Sequence, residues 1–274
     1  MSSTMTMTGL DAIAAMFARA KAKGRAAFLP FFTVGFPTYA ESIDILAAMS
    51  AEDVDGFEIG IPFSDPLADG PTIQAASQVA LDNGIGVADG LRAVRDLRAR
   101  GVHQPILLFS YLNPVLAYGV EKFVLEAKAS GAQGFIIPDL PPEEKHLLSV
   151  CEREGMALVF FVAPTSQPER IEYVAAQATG FIYVISVTGI TGARRELPPD
   201  LTDFIARVRS LTDKPLVLGF GISTPQQARQ MNGLVDGFIV ASALIRERQQ
   251  KDAQAVRILA ASLRWALDGA EPNS

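Results

Sequence analysis

The chain reads as a single α/β domain, a (β/α)8 TIM barrel with an extra N-terminal helix. Three observations predict it. Eight short apolar runs alternate with longer helical patterns from one end to the other. Several of those runs are almost continuously apolar, as in parallel strands covered by helices. The length, 274 residues, matches one closed barrel of about 250 residues and leaves little for a second unit.

In chain order, the expected strands are residues 28–34, 56–61, 105–109, 134–137, 156–162, 181–187, 215–218 and 237–240. Residues 10–23 form the additional helix, expected to cap the bottom of the barrel. Helical patterns follow at 39–50, 72–83, 120–130, 142–154, 169–177, 200–210 and 226–231, and one long helix is expected over 244–267. Pro142 with Glu143 and Glu144, and Pro168 with Glu169, are first-turn compositions, while Thr224-Pro225 reads as N-cap followed by N1. Gly131, Gly155, Gly180 and Gly233 stand where helices stop. Eight βα units favour the barrel over an open doubly wound sheet. Residues 1–8 and 268–274 read as frayed ends.

Composition narrows the partners. Hydrophobic residues make up 49% of the chain, enough for a large core. A formal net charge of -6 argues against nucleic acid or an anionic membrane as partner. No apolar run approaches the ~18 residues of a spanning helix, and residues 1–8 lack the pattern of a signal peptide. A cytoplasmic protein is expected. Cys151, the only cysteine, sits in an apolar helical stretch and reads as a small core residue.

In such barrels chemistry collects where strands end. Three ends in the C-terminal half are rich in Gly, Ser and Thr: residues 188–193, 219–223 and 241–243. Backbone amides there can cradle an anion, and loops after strands seven and eight are the recurrent phosphate position. Simple chain reversal is the competing explanation, and the co-location of the loops favours phosphate.

The reaction is narrowed by elimination. Schiff-base cleavage needs a strand-end lysine, and none of the seven lysines occupies one; Lys214 precedes a strand. His103 and His146 lie before strand three and within a helix, away from the mouth, so no histidine metal site is expected there. What remains is Glu58 inside an apolar strand, followed by Asp65 and Asp69 in a loop stiffened by Pro62 and Pro66. A buried Glu needs a partner or a task. No basic residue stands at a neighbouring strand end, which favours acid–base work by Glu58 and Asp69 on a phosphorylated substrate over a structural ion pair. Burial between Phe57 and Ile59, with the like charge of Asp69, is expected to raise the Glu58 pKa. Asp65 reads more simply as a turn cap.

The run Glu-Ile-Gly-Ile-Pro-Phe-Ser-Asp-Pro-Leu-Ala-Asp-Gly-Pro-Thr-Ile-Gln over residues 58–74 resembles the signature of the tryptophan synthase alpha chains. Further matches lie at 29–35, 137–141, 163–165, 186–192 and 219–222. The resemblance implies cleavage of indole-3-glycerol phosphate to indole and glyceraldehyde 3-phosphate, without cofactor or metal. It implies Glu58 as general acid/base and Asp69 as acceptor for the indole N–H. It also implies an indole pocket of Phe31, Phe109, Tyr183 and Phe220, and phosphate contacts at Gly192, Gly221, Ala241 and Ser242. Ala241 departs from the family's usual glycine, so that loop is expected to keep an ordinary backbone conformation. Residues 190–199, with Arg194 and Arg195, read as a lid or as a disordered loop. The implied partner is a pyridoxal-phosphate-dependent beta subunit in an α2β2 heterotetramer. Another sugar-phosphate enzyme on this fold, or a barrel kept only as an activating subunit, are the alternatives.

Overall fold

In the computed structural model, which describes residues 7–185, 200–219 and 221–269, eight parallel strands close into a barrel in chain order. They are β1 (Ala27–Thr33), β2 (Phe57–Gly60), β3 (Ile106–Phe109), β4 (Gly134–Ile136), β5 (Ala157–Val162), β6 (Ile182–Val184), β7 (Leu216–Gly219) and β8 (Gly237–Val240). Each expected run overlaps one of these strands, with β1 starting one residue before and β7 ending one residue after its run. Phe31 pairs with Glu58, Glu58 with Leu107, Leu107 with Gly134 and Gly134 with Ala157. The same registers continued through β6, β7 and β8 return to β1 at position 23, eight residues from the start. That offset is the shear of 8 of this barrel.

Strand alternation sorts the core into two layers. Inward positions Ala27, Leu29, Phe31, Leu107, Phe109, Ile136, Ala157, Val159, Val217 and Ile239 pack inside the barrel. Outward positions such as Phe28, Phe32, Phe57, Phe135 and Phe238 are completely buried beneath the helices, each burial contributing roughly 1.5–3 kcal/mol.

The N-terminal helix (Gly9–Ala22) closes the barrel floor, as expected. Thr8 begins it with a capping box, its hydroxyl accepting from the Asp11 N–H. Its Ile13, Met16 and Phe17 complete the inner core, Phe17 meeting Phe181 edge-on at 5.9 Å. Thr8 and Asp268 are thus structured, Asp268 pairing with Arg25 and Arg264. The remaining ends expected to fray, 1–6 and 270–274, lie outside the described residues, as does the expected lid.

Three helical expectations are corrected. The helix expected from Pro142 begins at Lys145 with Glu144 as N-cap, because 141–144 form a turn in which the Glu144 N–H donates to the Pro141 carbonyl. The long helix over 244–267 is two, Ser242–Gln250 and Ala253–Leu267. Lys251 leaves helical dihedrals and the Asp252 carboxylate accepts from the Ala255 N–H, starting a new first turn. Helices Val87–Ala99 and Leu112–Tyr118 were not anticipated; the second follows β3 directly at the barrel mouth. Thr224 and Pro225 form the expected N-cap and N1 of Pro225–Gln230, in a capping box with Gln227.

Candidate active site

Alternation along β2 aims Glu58 and Gly60 into the barrel, between inward Phe31 on β1 and inward Leu107 on β3. Glu58 is 2% exposed, and its Oε2 has no hydrogen-bond partner. It forms no ion pair among the described residues, so the structural explanation for a buried Glu does not hold. Burial pushes its pKa well above the ordinary carboxylate range, and the Asp69 charge adds to the rise. The expected direction is correct, but Phe57 and Ile59 are not the cause. They face the opposite side of the sheet, in the outer layer.

Asp69 sits at the end of the β2 loop, one residue before Gly70 caps the helix Pro71–Asp82. Its N–H donates to the Pro66 carbonyl, and Gln74 Nε2 donates to its own carbonyl at 2.8 Å. Its carboxylate is buried and, among the described residues, accepts one hydrogen bond, from the Tyr111 hydroxyl at 3.0 Å. Burial raises its pKa from 3.8 to about 6, and the Tyr111 bond works against the rise. Glu58 has no such donor to its buried oxygen. Burial therefore favours the protonated form of Glu58, while the Tyr111 hydrogen bond favours the ionised form of Asp69.

An aromatic wall surrounds the pair. Phe31 meets Phe109 edge-on at 5.7 Å, Phe109 meets Tyr111 likewise at 5.7 Å, and Tyr111 lies against Phe63 at 5.4 Å. Across the barrel Phe161 packs on Tyr183 at 4.7 Å. The Tyr183 phenol is pushed upward by burial and then by the charges of Glu58 and Asp69. Its ring lies over Gly219, where a Cβ would come within 1.8 Å of it; only a residue without a side chain fits beneath. Such a wall suits a flat apolar ligand with few polar groups.

Gly221, after β7, has φ +71 with open space where a side chain would be. Ala241 follows β8 with φ -118 and ψ -76, without the positive φ that would strain an alanine, and Ser242 opens the helix Ser242–Gln250. β7 and β8 are paired neighbours, and β8 pairs with β1. The amides of Gly221, Ala241 and Ser242 thus stand on adjoining strand ends next to Phe31. Gly192 and Phe220 lie outside the described residues.

Asp65 is exposed; Ser64 donates to its carboxylate and its carbonyl accepts from the Leu67 N–H, which is the turn role. The Cys151 thiol is buried and pushed up to about 12. Lys214 donates to the Ala178 carbonyl, and His103 and His146 are exposed. No three metal-ligating side chains converge among the described residues, and no described helix is long and apolar enough to cross a membrane.

Tyr111, Phe63 and Phe161 are the site residues that sequence reasoning missed. A signal existed: Leu107, Phe109 and Tyr111 continue one alternation past the end of β3, and Phe161 continues Ala157 and Val159.

Comparison with known proteins agrees with this geometry. The family model for the tryptophan synthase alpha chain matches residues 17–267. Tryptophan synthase alpha chains of Chloroflexus aurantiacus and Chloroflexus aggregans are 49% and 46% identical over 86% and 92% of this chain, and 89% and 95% of their own. Among solved structures, tryptophan synthase of Mycobacterium tuberculosis superimposes with a TM-score of 0.87 at 34% identity, over 93% of this chain and 97% of that one. The Legionella pneumophila alpha subunit gives 0.86 at 33% identity, over 94% and 99%. With the match spanning the barrel from its floor helix to its last helix, the chain belongs to the tryptophan synthase alpha chain family.

Proposed function

We propose that Glu58 and Asp69 carry out here the reaction of the family, retro-aldol cleavage of indole-3-glycerol phosphate. The single observation behind the assignment is the buried pair whose environments differ, Glu58 with a buried oxygen that has no hydrogen-bond partner and Asp69 held by the Tyr111 hydroxyl. Glu58 gives its proton to C3 of the indole ring. The resulting indolenine C=N+ draws in the electron pair of the bond between C3 and the glycerol carbon as that bond breaks. The adjacent glycerol hydroxyl loses its proton to the Glu58 carboxylate and becomes the aldehyde. Asp69 accepts the indole N–H and stabilises the positive charge growing on nitrogen. The ring is its own electron sink, so the step needs neither cofactor nor metal. A placed acid or base of this kind contributes about 10²–10⁴ in rate.

Phe31, Phe109 and Tyr183, together with Phe220, hold the indole. The backbone amides of Gly192, Gly221, Ala241 and Ser242 hold the phosphate, which suits a protein of net charge -6 that has no cationic field to offer. The protein is a cytoplasmic lyase of tryptophan biosynthesis. It passes indole to a beta subunit docked across the mouth, in an α2β2 heterotetramer. Leu67 on the β2 loop is 88% exposed and Leu116 after β3 is 54% exposed, apolar surface consistent with such a rim contact.

The test is indole release from indole-3-glycerol phosphate, by the chain alone and with a beta subunit added. Release that rises with the partner agrees with the proposal. High release unaffected by the partner would make the chain a stand-alone lyase, and no release in either state, with turnover of another sugar phosphate, would overturn the assignment.

A further inference from the structure

We propose that Tyr111 is a positioning residue for the cleavage, its hydroxyl clamping the Asp69 carboxylate and the loop that carries it against the indole nitrogen. The inference rests on the reading of Asp69 as the acceptor of the indole N–H. The Tyr111 hydroxyl both donates and accepts at one place in the chain. It donates to Asp69 Oδ2 at 3.0 Å and accepts from the Ala68 N–H at 3.1 Å. One phenol therefore holds both the side chain and the backbone that leads to it.

The loop has few other holds. Residues 64, 65, 67 and 68 are exposed, and apart from Gln74 Nε2 on the Asp69 carbonyl and the packing of Phe63 on Tyr111, its hydrogen bonds are short-range turns. The Tyr111 bond is the only side-chain hydrogen bond to the Asp69 carboxylate among the described residues, leaving Oδ1 for a substrate N–H. The phenol itself is rigid. Tyr111 is 2% exposed, its ring packs between Phe109 and Phe63, and the next backbone amide, of Leu112, donates to Asp139 Oδ1 at 2.8 Å. A group fixed by the β3 and β4 loops thus sets the position of a carboxylate on the β2 loop.

The clamp also acts on charge. Among the described residues, the titratable groups around Asp69 are Glu58 on β2, Tyr183 on β6, Tyr111 itself, and Asp139 beyond Tyr111. None of these is a cation, and the Tyr111 O–H is the donor that favours the ionised form of Asp69. Without it, Asp69 binds its proton more tightly and the acidic limb of the rate profile moves to higher pH.

The test compares the parent, Tyr111→Phe, Asp69→Asn and the double variant, each with the beta subunit, by kcat and KM for indole release between pH 5.5 and 9. A shift of about one unit from an Asp69 pKa near 6 takes the ionised fraction at pH 6 from roughly one half to roughly one tenth. The expected result for Tyr111→Phe is therefore a kcat deficit about fivefold larger at pH 6 than at pH 8.5, with KM changed less than about twofold. In the Asp69→Asn background the same substitution has no further effect on kcat. Should Tyr111→Phe not fold, 3-fluorotyrosine at position 111, a stronger donor, moves the acidic limb downward instead. An unshifted pH profile in either variant, or an equal deficit with and without the Asp69 carboxylate, overturns the clamp while leaving Asp69 catalytic. Parent-like kcat in Asp69→Asn overturns the reading of Asp69 itself, and the clamp with it.

Discussion

Replacing Asp69 by Asn should make the protein more stable and far less active, and the stability gain should depend on pH in a stated direction. Asp69 is 6% exposed, and burial raises its pKa from 3.8 to about 6. Below pH 4 the carboxyl is protonated in both folded and unfolded chains, and burial of the charge costs nothing. Between pH 4 and 6 the unfolded chain releases the proton while the folded one keeps it, so the folded state loses about 1.4 kcal/mol per unit. Above pH 6 the penalty levels off at about 3 kcal/mol, from a shift of about two units. Asn has no charge to bury and still offers Tyr111 an oxygen acceptor in the same place. Unfolding midpoints for parent and Asp69→Asn at pH 4, 6 and 8 test this. The variant should match the parent at pH 4 and exceed it by about 3 kcal/mol, or roughly 5 °C in melting temperature, at pH 8. Meanwhile kcat for indole release should fall about 10²–10⁴-fold. A stability difference independent of pH would refute the argument that burial of the Asp69 charge is the source, and unchanged kcat would refute its role.

Other consequences follow from the same structure. Glu58→Gln should lower kcat by about 10²–10⁴, and in urea titration at pH 8 it should be no less stable than the parent, because the buried oxygen it replaces has no partner to lose. Gly221→Ala forces a Cβ onto a backbone at φ +71, costing about 1–2 kcal/mol. If the loop relaxes away from the anion, KM for indole-3-glycerol phosphate rises more than kcat falls, as steady-state kinetics will show. Arg264→Met removes the buried guanidinium that binds Asp53 and Asp268 on the barrel floor. It should cost about 2 kcal/mol in a denaturant titration and leave kcat unchanged, since the mouth is at the opposite end.

Much of the barrel was legible because strand and helix periods are local properties of the chain. The apolar run at 237–240 coincides with β8, and the helical pattern at 39–50 with the helix Tyr39–Ser50. Misreadings arose where a side-chain cap overrode the pattern. Asp252 divides what periodicity alone shows as one helix, and the turn after Pro141 delays another by three residues. In the site, Glu58 was conspicuous as a charge in an apolar strand, and Asp69 as part of a dense motif. Tyr111 was not, because an aromatic residue just beyond a strand is unremarkable until its partner is known. That partner, Asp69, is 42 residues away in sequence.

What the amino-acid order determined alone was the succession of elements, the family signature, and the presence of acids without a nearby base. It also carried the direction of the Glu58 shift, since a carboxylate inside an apolar strand loses its water in any fold that buries the strand. Tertiary structure decided which neighbours remove that water. Closure of the barrel faces Glu58 toward Phe31 and Leu107 and away from Phe57 and Ile59, its neighbours in sequence. It also decided how the two carboxylates differ, because among the described residues a hydroxyl from another strand end reaches Asp69 and none reaches the buried oxygen of Glu58. Backbone period is written residue by residue, whereas the solvation and hydrogen bonding of a charge depend on groups that only folding brings together.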